Sequence, residues 1–398
     1  MAQNKLIHEI SRINSNHDYK KNNLLDKILS RRLLGDKALW FIIFAFFILS
    51  IIVVYSSIGT LAYRKMHYNT EYYLFKHFIY ISISLLCVYV THHIHYKHFI
   101  WLSKIGIIFS IVLLISSLLV GINIHGANRW IDLFGFSFQP SDLAQVVLII
   151  RVASITGKID EYNVNYNIKK IYILCILICG LISISHFSRA IVLFIICMII
   201  MFIGCKFSVI KRLILINLGL IISLIVFTFF FGQRWGTILY RIKNFINPND
   251  IPYQLEQSYI AIANGQLFGI GIGKSVQCNF LPYSYADYIY PVIIEEFGSI
   301  GGVFILFLYL FISIKSVRIA RRSNDIFAKL LVLGLGFLIS ITAYINMTMT
   351  TGLIPITGLP IPFLSMGGTA LLFFSVSLGI IQSVANYSSI ESNMGISK

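Results

Sequence analysis

Along this chain apolar residues run for roughly 20 positions at a time, and short polar stretches separate the runs. That length matches a helix crossing about 30 Å of hydrocarbon, where every backbone N–H and C=O must be satisfied within its own segment. A membrane barrel would instead alternate apolar and polar residues along each strand. The pattern predicts an all-α, polytopic integral membrane protein of about ten transmembrane helices. They fall at roughly 38–62, 72–92, 98–122, 138–156, 169–186, 188–205, 212–231, 287–315, 327–349 and 361–387. Residues 1–37 form a basic tail, 38–387 the membrane domain, and 388–398 a second tail. One connection, 232–286, is far longer than the others, and long loops in compact proteins tend to carry function. Its prolines (Pro248, Pro252, Pro282) and glycines predict short helices lying at the interface.

Composition sharpens the picture. Of 398 residues, 57% are hydrophobic and only 12% charged, with a mean hydropathy of +0.80, which excludes a soluble domain. The net charge of +16 does not call for nucleic acid, because positive residues gather on the cytoplasmic side of membrane proteins. With the N-terminal tail inside, the cytoplasmic loops hold Lys97, Lys104, Lys158, Lys169, Lys170, Lys206, Lys211, Arg212, Lys315, Arg318, Arg321, Arg322 and Lys329. Both termini are then cytoplasmic, and the long connection is extracytoplasmic. The first 35 residues are polar, so no cleavable signal peptide is expected. The six cysteines contain no CxxC pair and read as small packing residues.

Acidic residues are scarce, which draws attention to Asp287 at the mouth of a predicted span, with Glu295 and Glu296 about two turns deeper. A carboxylate at a membrane boundary is costly and is a functional candidate by default. Asp287 could simply cap its helix; apolar surroundings would instead raise its pKa and make it a useful base. Arg234 and Arg241 stand seven residues apart, so a helix places them on one face, suited to a diphosphate or to anionic headgroups. In Gly126-Ala-Asn-Arg-Trp130 and Phe138-Gln-Pro-Ser-Asp142, Pro140 suits a first helical turn, with Ser141 or Asp142 as caps. Arg129 there is a candidate phosphate contact. His186 and Arg189 interrupt two apolar runs; the arginine could snorkel or bind an anion. The segment 269–275 lacks the first glycine of a phosphate-binding GxxxxGK[ST] loop and reads as close loop packing. His92, His93, His95 and His98 suit membrane-edge packing better than a metal. Asn346, Gly352, Pro355, Gly358, Pro360, Pro362, Ser365, Gly367 and Gly368 crowd the outer ends of the last two spans, as broken backbone does where it lines a cavity.

Taken in order, GANRW, FQPS, the arginine pair before Asn247-Pro248, Gln257-Ser258 leading to the 269–275 glycines, Leu281-Pro282 leading to Asp287, Glu295-Glu296 and the Gly352–Gly368 run resemble the SEDS family (shape, elongation, division and sporulation). They span roughly residues 126–370 and resemble the division branch (FtsW) more than the elongation branch (RodA). The resemblance implies the SEDS fold with one large extracytoplasmic loop. It implies a peptidoglycan glycosyltransferase that polymerises lipid II at the outer face of the cytoplasmic membrane. Asp287 would be the general base, and Arg129, Arg234, Arg241 and Lys274 would neutralise the leaving diphosphate. Gln254, Gln257 and Ser258 would contact sugars; Glu295 and Glu296 would shape the cavity or a metal environment. It leaves room for a divalent cation, Mg2+ or Mn2+. The implied partners are a class B penicillin-binding protein (FtsI-like transpeptidase) and other division proteins.

The chain departs from the family pattern in places. Asp142 stands where glutamate is usual, Gln145 where lysine is frequent, and Arg189 where threonine is expected. Tyr288 and Tyr290 replace phenylalanines, and Met366 replaces a tyrosine or similar residue. Two other readings compete with the polymerase: a lipid II flippase, whose charges would line a route through the membrane, and a non-catalytic scaffold, which would function without Asp287.

Overall fold

The computed structural model describes residues 35–58, 70–124, 126–133, 136–159, 163–205, 207–247 and 251–393. The basic tail expected at 1–37 lies, up to residue 34, outside the described residues. Helix α1 (Lys37–Ser57) begins at Asp36, whose carboxylate accepts from the amides of Ala38 and Leu39 at 2.9 and 3.1 Å. Helices α2 (Thr70–His93) and α3 (His98–Val120) follow. Next comes a departure from the all-α expectation, a small antiparallel sheet of β1 (Ile122–Ile124), β2 (Ala127–Leu133) and β3 (Phe136–Phe138). Ile122-Asn123-Ile124 and Phe136-Ser137-Phe138 alternate apolar and polar residues, the period of a strand rather than a helix. Helix α4 (Pro140–Thr156) then starts on Pro140, where a missing N–H costs nothing.

Helix α5 (Val164–Gly204) has 41 residues and, if straight, would measure about 60 Å, twice the hydrocarbon thickness. His186 breaks it, with φ −148° and ψ 71°. The chain folds back there: Cys175 and Cys197, equidistant from His186, lie close to each other. A Cβ added to Gly204 would lie 2.3 Å from Thr156, at the end of the bundle where α5 began. The spans expected at 169–186 and 188–205 are therefore the two arms of one hairpin. Helix α6 (Phe207–Phe231) bends by 118° into α7 (Trp235–Ile246), and α8 (Tyr253–Gly265) and a short 3-10 turn (Gln277–Asn279) complete the long connection. The chain ends in α9 (Ile289–Arg322), α10 (Ile326–Thr350) and α11 (Gly368–Asn393). Among the described residues seven helices are long and apolar enough to cross a membrane, or eight if α6 and α7 form one broken span. That count takes the α5 hairpin as one and omits α4, which has 17 residues and is nearly all buried.

The bundle has two unlike ends. One carries Lys37, Lys97, Lys158, Lys315, Arg318, Arg321 and Arg322. There Lys315 of α9 grips the Asp36 carboxylate at 2.9 and 3.0 Å, and Gln382 of α11 makes paired bonds of 2.8 and 3.0 Å with its backbone. The other end holds the sheet, the α5 apex and the segments 266–288 and 351–367. Near it α9 is broken at Gly298 (φ 73°), which frees main-chain groups on either side. The glycine-rich segment satisfies them. Ile270 and Gly271 donate to the carbonyls of Glu295 and Glu296 at 2.9 and 3.1 Å, and Ser299 and Ile300 donate to Gln266 and Leu267 at 2.9 and 3.3 Å. A Cβ at Gly269 or Gly298 would strike a facing carbonyl oxygen at 2.1 Å. Close packing, as expected for 269–275, is what this segment does.

Candidate functional site

A cavity of about 290 Å³ opens at the end opposite the basic one. Arg129 of β2, His186 of the α5 apex, Arg234 just before α7, Arg241 of α7, Gln254 of α8 and Asp287 line it. Main-chain bonds bring these elements together. The Gln233 amide donates to the Ile184 carbonyl at 2.9 Å, and the Gln233 side chain accepts the Asn128 amide at 2.9 Å. Sheet, hairpin and α7 thus share one junction. Arg234 and Arg241, two turns apart, both face the cavity, and Arg241 also donates to the Ile356 carbonyl at 3.1 Å. Arg129 donates to His186 Nε2 at 2.9 Å. A guanidinium can only donate, so that nitrogen is bare and the imidazole is neutral, with its proton on Nδ1.

Asp287 does not cap α9; the position before the helix is Tyr288, and it makes no side-chain capping bond. A second layer holds the Asp287 turn from behind. Asn346 Nδ2 donates to the Asp287 carbonyl at 2.8 Å and to Leu359 at 2.6 Å. Ser365 Oγ donates to Ala286 at 2.7 Å and accepts the Ile361 amide at 2.9 Å. The Pro362 carbonyl accepts the hydroxyl of buried Tyr309, and the Gly367 amide closes on Ser365 at 2.9 Å. Gly358 leaves room in front: a Cβ there would sit 3.5 Å from Asp287 Oδ2 and 3.9 Å from the Arg241 guanidinium. Burial pushes the Asp287 carboxyl above its ordinary range, and Arg241, Arg129, Arg189 and Arg234 pull it partly back. Burial first, then repulsion from Arg234 and Arg189, brings the Arg129 guanidinium down to about 10, so it stays charged at neutral pH. A base facing several cations can take a proton while the cations hold a phosphate-bearing group.

Other expected residues stand elsewhere. Lys274 is exposed on the docked glycine segment and does not line the cavity. Gln257 is also absent from the lining, and buried Ser258 donates to the Thr350 carbonyl at 2.7 Å. Glu295 accepts from the Ser275 hydroxyl, and Glu296 from the Ser56 hydroxyl and from the Gly273 amide at 3.1 Å. Both brace the glycine segment rather than the cavity, because the segment's free donors lie over them. Ser141 and Asp142 cap nothing: both bind Arg189, which is buried and does not snorkel. His186 is the lining residue that sequence reasoning undervalued; its signal was the polar run from 185 to 189 inside an apolar stretch. No three His, Cys, Asp or Glu residues gather as metal ligands among the described residues. The carboxylate of the cavity lining is Asp287, set among guanidinium groups, a donor set that does not fit a resident Mg2+ or Mn2+.

A family model for cell cycle proteins of the FtsW, RodA and SpoVE kind matches residues 36–390. This chain belongs to the FtsW/RodA/SpoVE family. Its curated relatives include the probable peptidoglycan glycosyltransferase FtsW of Geobacter sp. (strain M18), 32% identical over 84% of this chain and 92% of that one. The probable peptidoglycan glycosyltransferase FtsW of Haemophilus influenzae is 30% identical over 89% of this chain and 91% of its own length. Among solved structures, one described as "Structural coordination of polymerization and crosslinking by a peptidoglycan synthase complex" aligns with TM-score 0.70 at 20% identity, covering 89% of this chain and 98% of that one. RodA of Thermus thermophilus aligns with TM-score 0.63 at 20% identity, covering 88% and 96%. The chain therefore has the FtsW/RodA/SpoVE fold, in which the cavity sits where the hairpin apex, the outer sheet and the bent helix pair converge.

Proposed function

We propose that this chain is a peptidoglycan glycosyltransferase that polymerises lipid II into glycan strands for septal wall synthesis. The observation that carries the reading is the cavity: Asp287 held from behind by Asn346 and Ser365, facing Arg129, Arg234 and Arg241. Asp287 takes the proton from the GlcNAc 4-hydroxyl of the acceptor lipid II. That oxygen bonds to the anomeric carbon of the strand's terminal MurNAc as the bond to diphosphate breaks. Undecaprenyl diphosphate leaves with the electron pair, its charge met by the arginines in forked contacts. Asp287 then returns its proton to water in the cavity.

The basic end of the bundle faces the cytoplasm under the positive-inside rule, so both tails are cytoplasmic and the cavity opens at the outer face of the inner membrane. The FtsW names of relatives at 30 and 32% identity favour division over elongation. The solved neighbour described as coordinating polymerization and crosslinking supports a class B penicillin-binding protein as partner, with other division proteins around the pair. The test is to purify the chain with that partner and supply labelled lipid II. Glycan strands are expected. Lipid II crossing vesicle membranes without strands would instead support the flippase.

A further inference from the structure

Beside the cavity lies a buried ion pair that the reaction does not use. Asp142, in the first turn of α4, is 4% exposed, and Arg189, on the second arm of α5, is 6% exposed. A carboxylate so buried is costly unless a cation and hydrogen bonds meet it. Arg189 Nη1 pairs with Asp142 Oδ1 and donates to the Ser141 hydroxyl at 2.8 Å. The other oxygen, Asp142 Oδ2, accepts the Thr369 hydroxyl at 2.8 Å. Thr369 belongs to the first turn of α11, so this one carboxylate joins the starts of α4 and α11 to the hairpin. Arg189 also follows His186 by three residues, one helical turn, and His186 is the acceptor that holds Arg129 at the cavity. A rigid path runs from Asp142 through Arg189 and the apex to a cavity arginine.

Gln145 shows how specific the pairing is. It lies three residues after Asp142, on the same face of α4, and borders one small void together with Arg189. Its amide donates only to the Ser141 carbonyl of its own helix, at 3.1 Å. A lysine at this position would reach the Asp142 carboxylate from within α4.

We propose that Arg189 is a positioning residue: by supplying from α5 the cation that Asp142 requires, it locks the hairpin apex and so fixes His186 and Arg129 at the cavity. The pair holds one cation, and position 145 is the alternative place from which to supply it. Asp142 and Ser141 are the polar groups bonded to Arg189 here, and Gln145 and Thr342 share a small void with it.

The test is a cycle of Arg189→Thr, Gln145→Lys and the double variant, each prepared with its partner. Melting in detergent and lipid II polymerisation are read for all four proteins. Arg189→Thr should lower both the melting temperature and the rate, the latter roughly tenfold or more. Gln145→Lys should change sign with background. In the wild type it places two cations on one carboxylate and lowers the melting temperature. In Arg189→Thr it restores a cation, raises the melting temperature and recovers most of the rate. A packing role for Arg189 would not produce that reversal. Full activity in Arg189→Thr, or an effect of Gln145→Lys with the same sign in both backgrounds, would overturn the proposal. The rate readout rests on the polymerase reading above and the melting readout does not, so a wild type that makes no strands leaves the sign reversal to decide. If Arg189→Thr fails to fold, recovery of folded protein in the double variant supports the proposal, and its absence refutes it.

Discussion

At the scale of single residues, Asp287, the proposed base, carries an energetic cost. Its folded pKa is raised by burial more than Arg241, Arg129, Arg189 and Arg234 lower it. The ionised form therefore destabilises the fold at neutral pH, and that cost disappears as pH falls through the raised pKa. Asp287→Asn should leave the melting temperature at pH 7 unchanged or higher, and a drop of several degrees would argue against this balance. Because the base must be ionised to work, the rate should fall on the acid side at a pH above the ordinary carboxylate range. Among the cations, Arg241 pulls the pKa down most. Arg241→Gln should thus move the acid limb of the pH–rate profile upward, and a downward shift would contradict the assignment. Asp287 and the paired arginines were legible in the sequence, because a scarce carboxylate and a two-turn spacing are visible without coordinates. His186 was not, since its importance comes from a contact with Arg129 across 57 positions of chain. The departures at Gln145 and Arg189 looked like two separate changes in the sequence, but in space both border Asp142.

At the scale of elements, the broken helix α9 explains residues that sequence reasoning had assigned to the cavity. The resemblance gives Lys274 to the leaving diphosphate, but the run of Gly269, Gly271 and Gly273 before it packs closely, its backbone filling the gap opened at Gly298. The resemblance has Glu295 and Glu296 shape the cavity or a metal environment, yet they accept donors from that segment and from Ser56. Gly298→Ala forces a side chain into the left-handed region and against the Leu267 carbonyl. It should cost roughly 2–4 kcal/mol and lower the melting temperature and yield. Gly219→Ala is the control: nothing lies within 4 Å of its added Cβ, and alanine favours a helix, so stability should hold or rise slightly. Equal losses in both variants would mean that the docked segment is not what makes Gly298 necessary. The short sheet also escaped the apolar-run pattern, because its few residues are too short a stretch for a run of that kind.

At the scale of the whole molecule, length and apolarity were enough to read the helices, but not the way they close on one another. The α5 hairpin shows why: the polar residues at 185–189 mark its apex, but not that the two arms fold back on each other through a single non-helical residue. The far end is closed by Asp36, which ties α1 to Lys315 of α9 and Gln382 of α11, contacts that span 279 and 346 positions. Burial raises the Asp36 pKa, but Lys315 and the amides of Leu39 and Ala38 outweigh it, so the folded value is lowered. Its contribution is then present above the ordinary carboxylate pKa and lost as pH falls through the lowered one. Asp36→Asn keeps a capping oxygen but loses the charge that Lys315 meets, so it should cost about 0.5–1 kcal/mol at neutral pH, seen as a lower melting temperature in detergent; no change would mean the latch is idle. The role proposed for the cavity is polymerisation of lipid II with Asp287 as the base. The most direct measurement runs wild type and Asp287→Asn side by side on labelled lipid II with the class B partner, in preparations of matched folding. Strands from the wild type and none from the variant are predicted, and equal strands from both would contradict the claim.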